Sequence, residues 1–178
     1  MDHIIYSRIS EENFSPTSLD GFIRRQEVQE CWRSVDGHWT LLPVAYIEDW
    51  DLEARRIRAR RILRGIQDGG AAFGAWREGN IVGFARLALP LFGSKNQYID
   101  LAQLHVSAPF RRQGIGRELF LLVCQGAREA GASRLYISAH SAKESIAAYR
   151  KYGCIPACEV NRRLAAKEPC DLQLEFQL

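Results

Sequence analysis

The chain lacks any apolar run long enough to cross a membrane. A spanning helix needs about 18 or more consecutive apolar residues, and no stretch comes near that length. The N-terminal residues Met1, Asp2, His3 and Ile4 carry no basic segment and lead into no long apolar segment, so secretion is not expected. Cysteine is sparse and odd in number, five in all, without the spacing of a disulfide framework. Such cysteines read as reduced thiols of a cytoplasmic protein. Cys154 and Cys158 fall four apart in a strand-like region, but no His or Cys cluster completes a tetrahedral site, so no metal is expected. A net charge of +3 gives no electrostatic case for a nucleic-acid partner. There are no internal repeats, no low-complexity segment and no separable linker. The nucleoside-triphosphate loop G-x-x-x-x-G-K-[ST] and the nucleophile elbow G-x-S-x-G are both missing.

What is present has the balance of one globular domain. With 178 residues, 47% hydrophobic and 25% charged, the chain fits a single domain over residues 1–178 with one large core. Residues 3–9 alternate as a strand, 13–20 form a turn region around Pro16, and 19–25 have the spacing of a short helix. Glu27 to Leu42 reads as a hairpin turning at Asp36-Gly37. Asp51 caps a helix running to Gln67, stopped by Gly69-Gly70, with Leu52, Ala59, Leu63 and Ile66 as its apolar stripe. Six arginines (55, 56, 58, 60, 61 and 64) cover the rest of that helix, which reads as a solvated face unless an anionic partner meets it. A second hairpin joins 71–76 to 81–87 through Glu78-Gly79-Asn80, and Pro90 to Asn96 reads as a loop. Tyr98 to Val106, Leu135 to Ala139 and Leu172 to Phe176 read as strands. This mixed order predicts an α/β (α+β mixed) fold, a central sheet with helices on both faces.

The most informative stretch is Arg111, Arg112, Gln113, Gly114, Ile115, Gly116. An apolar strand precedes it, and an amphipathic helix (Leu119, Phe120, Val123, Ala127) follows it as far as about Ala130. Glycines at a helix start expose free N–H groups to an anion, and arginines add charge. A dinucleotide loop G-x-G-x-x-G is met only in part, because Leu119 stands where the third glycine belongs. The pattern [QR]-x-x-G-x-[GA] is met fully by Arg111, Gly114 and Gly116.

The residues from Leu104 to Gly116 resemble the stretch L-x-V-x-P-x-x-R-x-x-G-x-G of the GNAT superfamily of N-acetyltransferases, with one extra residue before Pro109. Ala147, Ala148, Tyr149, Tyr152 and Gly153 are similar to its A-x-x-x-Y-x-x-x-G-F segment, with Cys154 in place of the final aromatic. The resemblance is specific over about residues 98–160, the expected CoA-binding core. It implies a central, mostly antiparallel twisted sheet of about seven strands with helices on both faces, to which the N-terminal hairpin is an elaboration. It also implies acetyl transfer from acetyl-CoA to a primary amine of a small molecule or protein, by direct attack in a ternary complex. A non-catalytic acyl-CoA-binding module of the same fold is the alternative.

The resemblance also assigns roles. Tyr149 would protonate the leaving thiolate. Asp100 would take the proton of the amine, with His105 as a second candidate base. A bulge after Leu104 would free backbone groups of Leu104, His105 and Val106 to hold the acetyl carbonyl and pantetheine. Arg111, Arg112, Gln113, Gly114, Ile115, Gly116 and Arg117 would hold the diphosphate. The superfamily's CoA-contacting asparagine is replaced here by Ala142, leaving Ser141 or Lys143 for that contact. The acceptor would meet the variable segments 13–50 and 90–97, where Trp32, Trp39, Tyr46, Glu48, Asp49 and Trp50 suit a cationic amine. The same residues would equally suit a homodimer interface or cover the core.

Overall fold

A computed structural model describes residues 3–178. Strands β1 (Ile5–Arg8), β4 (Ala71–Arg77), β5 (Asn80–Phe92), β6 (Tyr98–Val106), β7 (Arg134–Ala139), β8 (Ile155–Pro156) and β9 (Leu172–Gln177) form one seven-stranded sheet in the order β1-β4-β5-β6-β7-β9-β8. Every neighbouring pair is antiparallel except β6 and β7, which run parallel. Strands β2 (Gln26–Val35) and β3 (His38–Glu48) make a separate two-stranded sheet. Asp36 and Gly37 turn this hairpin with φ of 48° and 80°, the left-handed pair that an Asp-Gly turn supplies. The hairpin elaboration therefore forms, and its second arm runs six residues beyond the expected Leu42, to Glu48.

Helices cover both faces of the large sheet. On one face lie α2 (Ile115–Glu129) and α3 (Lys143–Tyr152), packed on a core that includes Ala85, Leu87, Ile99, Leu101, Leu119, Val123, Leu135 and Ile146. Leu119 is fully buried, and a Cβ on Gly83 of β5 would come within 3.0 Å of its Cδ1, so this glycine sets how closely α2 approaches the sheet. On the other face lies α1 (Leu52–Gln67), over a core of Phe22, Ala59, Ile62, Ala72, Ile81 and Phe84. A short helix α4 (Arg162–Lys167) precedes β9.

Asp51 caps α1 as expected, its carboxylate accepting from Ala54 N at 2.7 Å. The stripe differs from the expected one. Ala59 and Ile62 are buried, Leu63 and Ile66 partly so, and Leu52 is 44% exposed in a first turn that overhangs the core. The helix expected at 19–25 is absent. Leu19 and Phe22 are both buried, but by consecutive turns (Asp20 N to Thr17 O, Phe22 N to Leu19 O); apolar residues three apart mimic helical spacing here. The expected loop 90–96 is shortened because β5 continues to Phe92.

Candidate active site

The sheet opens between its two parallel strands. β6 pairs with β7 only from Tyr98 to Asp100, against Arg134 to Tyr136. From Leu101 to Val106 the β7-facing edge of β6 has no strand partner among the described residues, and a cleft of about 640 Å³ occupies the gap. An unpaired strand edge is a row of backbone donors and acceptors that an extended ligand can join. Gly116, Ser145, Ala148, Tyr149 and Tyr152 line the cleft from the α2–α3 face; Trp50, Arg58 and Arg61 line it from the α1 face.

The bulge lies two residues earlier than expected. Arg86 pairs with Gln103 and Leu87 with Leu101, so Ala102 is the extra residue on β6. This single insertion reverses the alternation. Leu101, Leu104 and Val106 pack with the α2–α3 core, while His105 turns toward Trp50 and Phe84 on the α1 side. Asp100 does not share a face with Leu104 and Val106, as unbroken alternation predicts; it precedes the bulge and stands with Gln103 and His105.

Asp100 is deeply enclosed, and burial pushes its carboxyl up to about 6, against the pull of Arg86, Lys167 and Arg163. A base of that strength is half ionised just below neutral pH. His105 is less suited to be the base. Burial, reinforced by Arg24 and Arg58, lowers its pKa to about 3, so its imidazole stays neutral and holds a proton poorly. Tyr149 enters from α3. Burial raises its phenol well above the ordinary value, with smaller contributions that include Asp171 and Asp100, so it stays protonated near neutral pH. Among the described residues its hydroxyl has no hydrogen-bond partner, which leaves a proton donor at the cleft wall.

The loop before α2 has the form of an anion cradle. Gly114 caps the helix with φ 85°, and no backbone carbonyl among the described residues accepts from the N–H groups of 113–116. A Cβ on Gly116 would lie 3.1 Å from the Tyr152 hydroxyl, so a side chain here would press that hydroxyl aside. Ile115 is buried and contributes through its backbone; Arg112, Gln113 and Arg117 are exposed around the cradle.

Arg111 has a different place from the one expected. Its guanidinium donates to Val106 O at 3.0 Å, Arg25 O at 2.8 Å and Arg24 O at 2.6 Å. It ties the end of β6 to the segment entering β2 and is spent on carbonyls, not aimed at a phosphate. Ser141 does not line the cleft. It is buried, and its hydroxyl accepts from Arg33 at 2.6 Å while its carbonyl accepts from Trp32 N at 2.8 Å. Lys143 pairs with Glu30. Both residues hold the β2–β3 hairpin against the start of α3.

Several residues of the cleft gave no sequence motif. His140 Nε2 lies 3.0 Å from Glu48 Oε1, and Glu48 also accepts from Arg24 at 2.5 Å. The bond to His140 and the Arg24 charge, opposed by burial, hold the Glu48 carboxyl below its ordinary range. Asp171 is pushed up to about 6 by burial and lies 3.3 Å from the Ser138 hydroxyl. The signal for His140 was positional: it follows the C-terminal end of a parallel strand, where open α/β sheets place their sites.

A helix-start cradle beside a sheet split between parallel strands is the layout of an acyl-CoA-dependent transferase. The model of the Acetyltransferase (GNAT) family matches residues 26–154, and the chain belongs to that family. An uncharacterized N-acetyltransferase of Escherichia coli (strain K12), YjgM, is 34% identical over 77 residues, 43% of this chain and 46% of YjgM. The chain thus aligns with about half the length of that curated relative. A nourseothricin acetyltransferase has the same fold, with a TM-score of 0.70 at 18% identity over 98% of each chain. So does a Bacillus anthracis (strain Ames) protein assigned as a streptothricin acetyltransferase and solved with acetyl coenzyme A, with a TM-score of 0.70 at 13% identity over 99% of each chain.

Proposed function

We propose that the chain transfers an acetyl group from acetyl-CoA to a primary amine by direct attack within a ternary complex. The observation that carries this reading is the split between β6 and β7, with Asp100 and Tyr149 both lining it and the glycine cradle at one end. Bound acetyl-CoA supplies an activated thioester. The N–H groups at the start of α2 would hold its diphosphate, with Arg112, Gln113 and Arg117 at the rim. The free edge of β6 over Leu104, His105 and Val106 would hold the pantetheine amides and orient the acetyl carbonyl.

Asp100 accepts the proton that the amine loses, directly or through water. An amine near pKa 10 is protonated at neutral pH and needs such a base before its nitrogen can attack. The freed nitrogen attacks the thioester carbon, and as the tetrahedral adduct collapses the C–S bond breaks; the Tyr149 hydroxyl gives its proton to the departing sulfur and is restored, through water, by the second proton that the nitrogen sheds on becoming an amide. Asp171, with a similarly raised pKa and a place in the same cleft, is the second candidate base.

The test is release of free CoA thiol against a panel of amines, with acetyl-CoA affinity measured separately by calorimetry. Release that depends on both the amine and Tyr149 is the expected result. Tight acetyl-CoA binding with no transfer to any amine would shift the reading to a non-catalytic acyl-CoA-binding module.

A further inference from the structure

The variable segments suggested a cationic acceptor held by aromatic and acidic groups, yet Trp50, Trp32 and Glu48 are already engaged within the protein. The Arg58 guanidinium covers the Trp50 ring at 4.1 Å, and Arg150 covers Trp32 at 4.8 Å. Glu48 is held by Arg24 and His140.

What the α1 side of the cleft presents without a direct ion-pair partner among the described residues is guanidinium charge. Arg58 and Arg61 are three apart on one helix face and both line the cleft. Arg86 rises from β5 beneath them, where a Cβ on Gly65 would come within 2.8 Å of its Nη1, so the glycine in α1 makes room for the guanidinium. None of the three has a carboxylate within 4.0 Å among the described residues. Among the described residues Arg86 donates only from Nε, to Gln103 at 3.4 Å, so neither of its terminal NH2 groups has a hydrogen-bond partner. Burial lowers the pKa of Arg58 and of Arg86, Asp100 pulls Arg86 and Glu48 pulls Arg58 the other way, and Arg61 lies close enough to repel each of the two. On the same side Asp100 faces Arg86, with Glu168, Asp171 and Lys167 further along the lining.

We propose that the acceptor carries a carboxylate beside its amine, as an α-amino acid does, with the carboxylate held by Arg61 and Arg86 and the amine toward Asp100. This rests on the acetyl-transfer reading above. The planar guanidinium fork suits a carboxylate, and a partly enclosed site strengthens the pairing. The cradle for the CoA diphosphate lies at the start of α2, on the opposite face of the sheet, so these arginines are not needed for the donor. Arg58, already stacked on Trp50, sets the charge of the wall without being free to turn.

The experiment compares α-amino acids with their carboxamides and decarboxylated amines as acceptors, in the wild type and in Arg86→Gln and Arg61→Gln. Arg61 is exposed, so R61Q guards against a folding defect in R86Q. Acids should be preferred by 10-fold or more in kcat/KM. Either variant should erase most of that preference through KM while leaving the Kd for acetyl-CoA unchanged. A second arm uses the CoA-loaded protein and measures thermal shift by N-acetyl amino acids against their amides and against aminoalkyl phosphonates. Stabilisation by the carboxylates alone, lost in R86Q, supports the assignment even if no amine is acetylated, and that pattern would count against acetyl transfer only. Amides accepted as well as acids, phosphonates alone binding, or no discrimination in either arm overturns the carboxylate assignment and leaves acetyl transfer standing.

Discussion

Two side chains divide the proton traffic of the proposed reaction, and they reach the cleft from different elements. Tyr149→Phe removes only an oxygen and its proton. If the hydroxyl serves the leaving sulfur, kcat should fall by about 100-fold, the usual scale of general acid catalysis, while calorimetric affinity for CoA stays within about 2-fold. Asp100 gives the reaction a pH signature. With its carboxyl at about 6, the ionised base accumulates as pH rises, so kcat/KM should climb through pH 6 and then level. Asp100→Asn should lower the plateau and remove that limb. A limb that survives D100N but disappears in Asp171→Asn would move the base to Asp171. The neutral His105 takes no part in this window because its own titration lies near 3.

At the scale of elements, much of the layout was legible and the failures have physical causes. Asp51, the Asp36-Gly37 turn and Gly114 each announced a boundary through local chemistry, so those boundaries are where the sequence placed them. The insertion at Ala102 left no such mark. It arises from pairing with β5, a tertiary event, yet it decides which side of the sheet Asp100 faces. Arg111 shows the same limit, since its motif announced its position and not the three carbonyls its side chain meets. Those contacts make a prediction about structure and not chemistry. Arg111→Gln should cost about 2 kcal/mol, the scale of a charged hydrogen bond made partly buried, or roughly 4–8 °C in Tm. The loop itself is sensitive to volume: Gly116→Val would drive side-chain atoms toward the Tyr152 hydroxyl and should weaken acetyl-CoA binding at least 10-fold with little change in Tm.

The whole molecule is an α1-covered face and an α2–α3-covered face joined through one opening. Leu119, which broke the dinucleotide pattern, is buried core against Gly83, so the first turn of α2 is built for packing as well as for an anion. Ligand linkage makes this measurable. Acetyl-CoA at 100 times its Kd should stabilise the fold by about 2.7 kcal/mol, roughly 5–10 °C in Tm at this size, and NAD should give no shift. A shift with NAD and none with acetyl-CoA would reverse the assignment of the loop.

The short β6–β7 ladder has a consequence for steady-state kinetics. After three paired residues the strands part, and the opening is lined by residues from both faces of the sheet. In the proposed reaction each product would then have its own exit. Free CoA should compete only with acetyl-CoA, and the acetylated amine only with its parent amine. Initial-velocity lines should intersect, as they do when both substrates wait together on the enzyme before either product leaves.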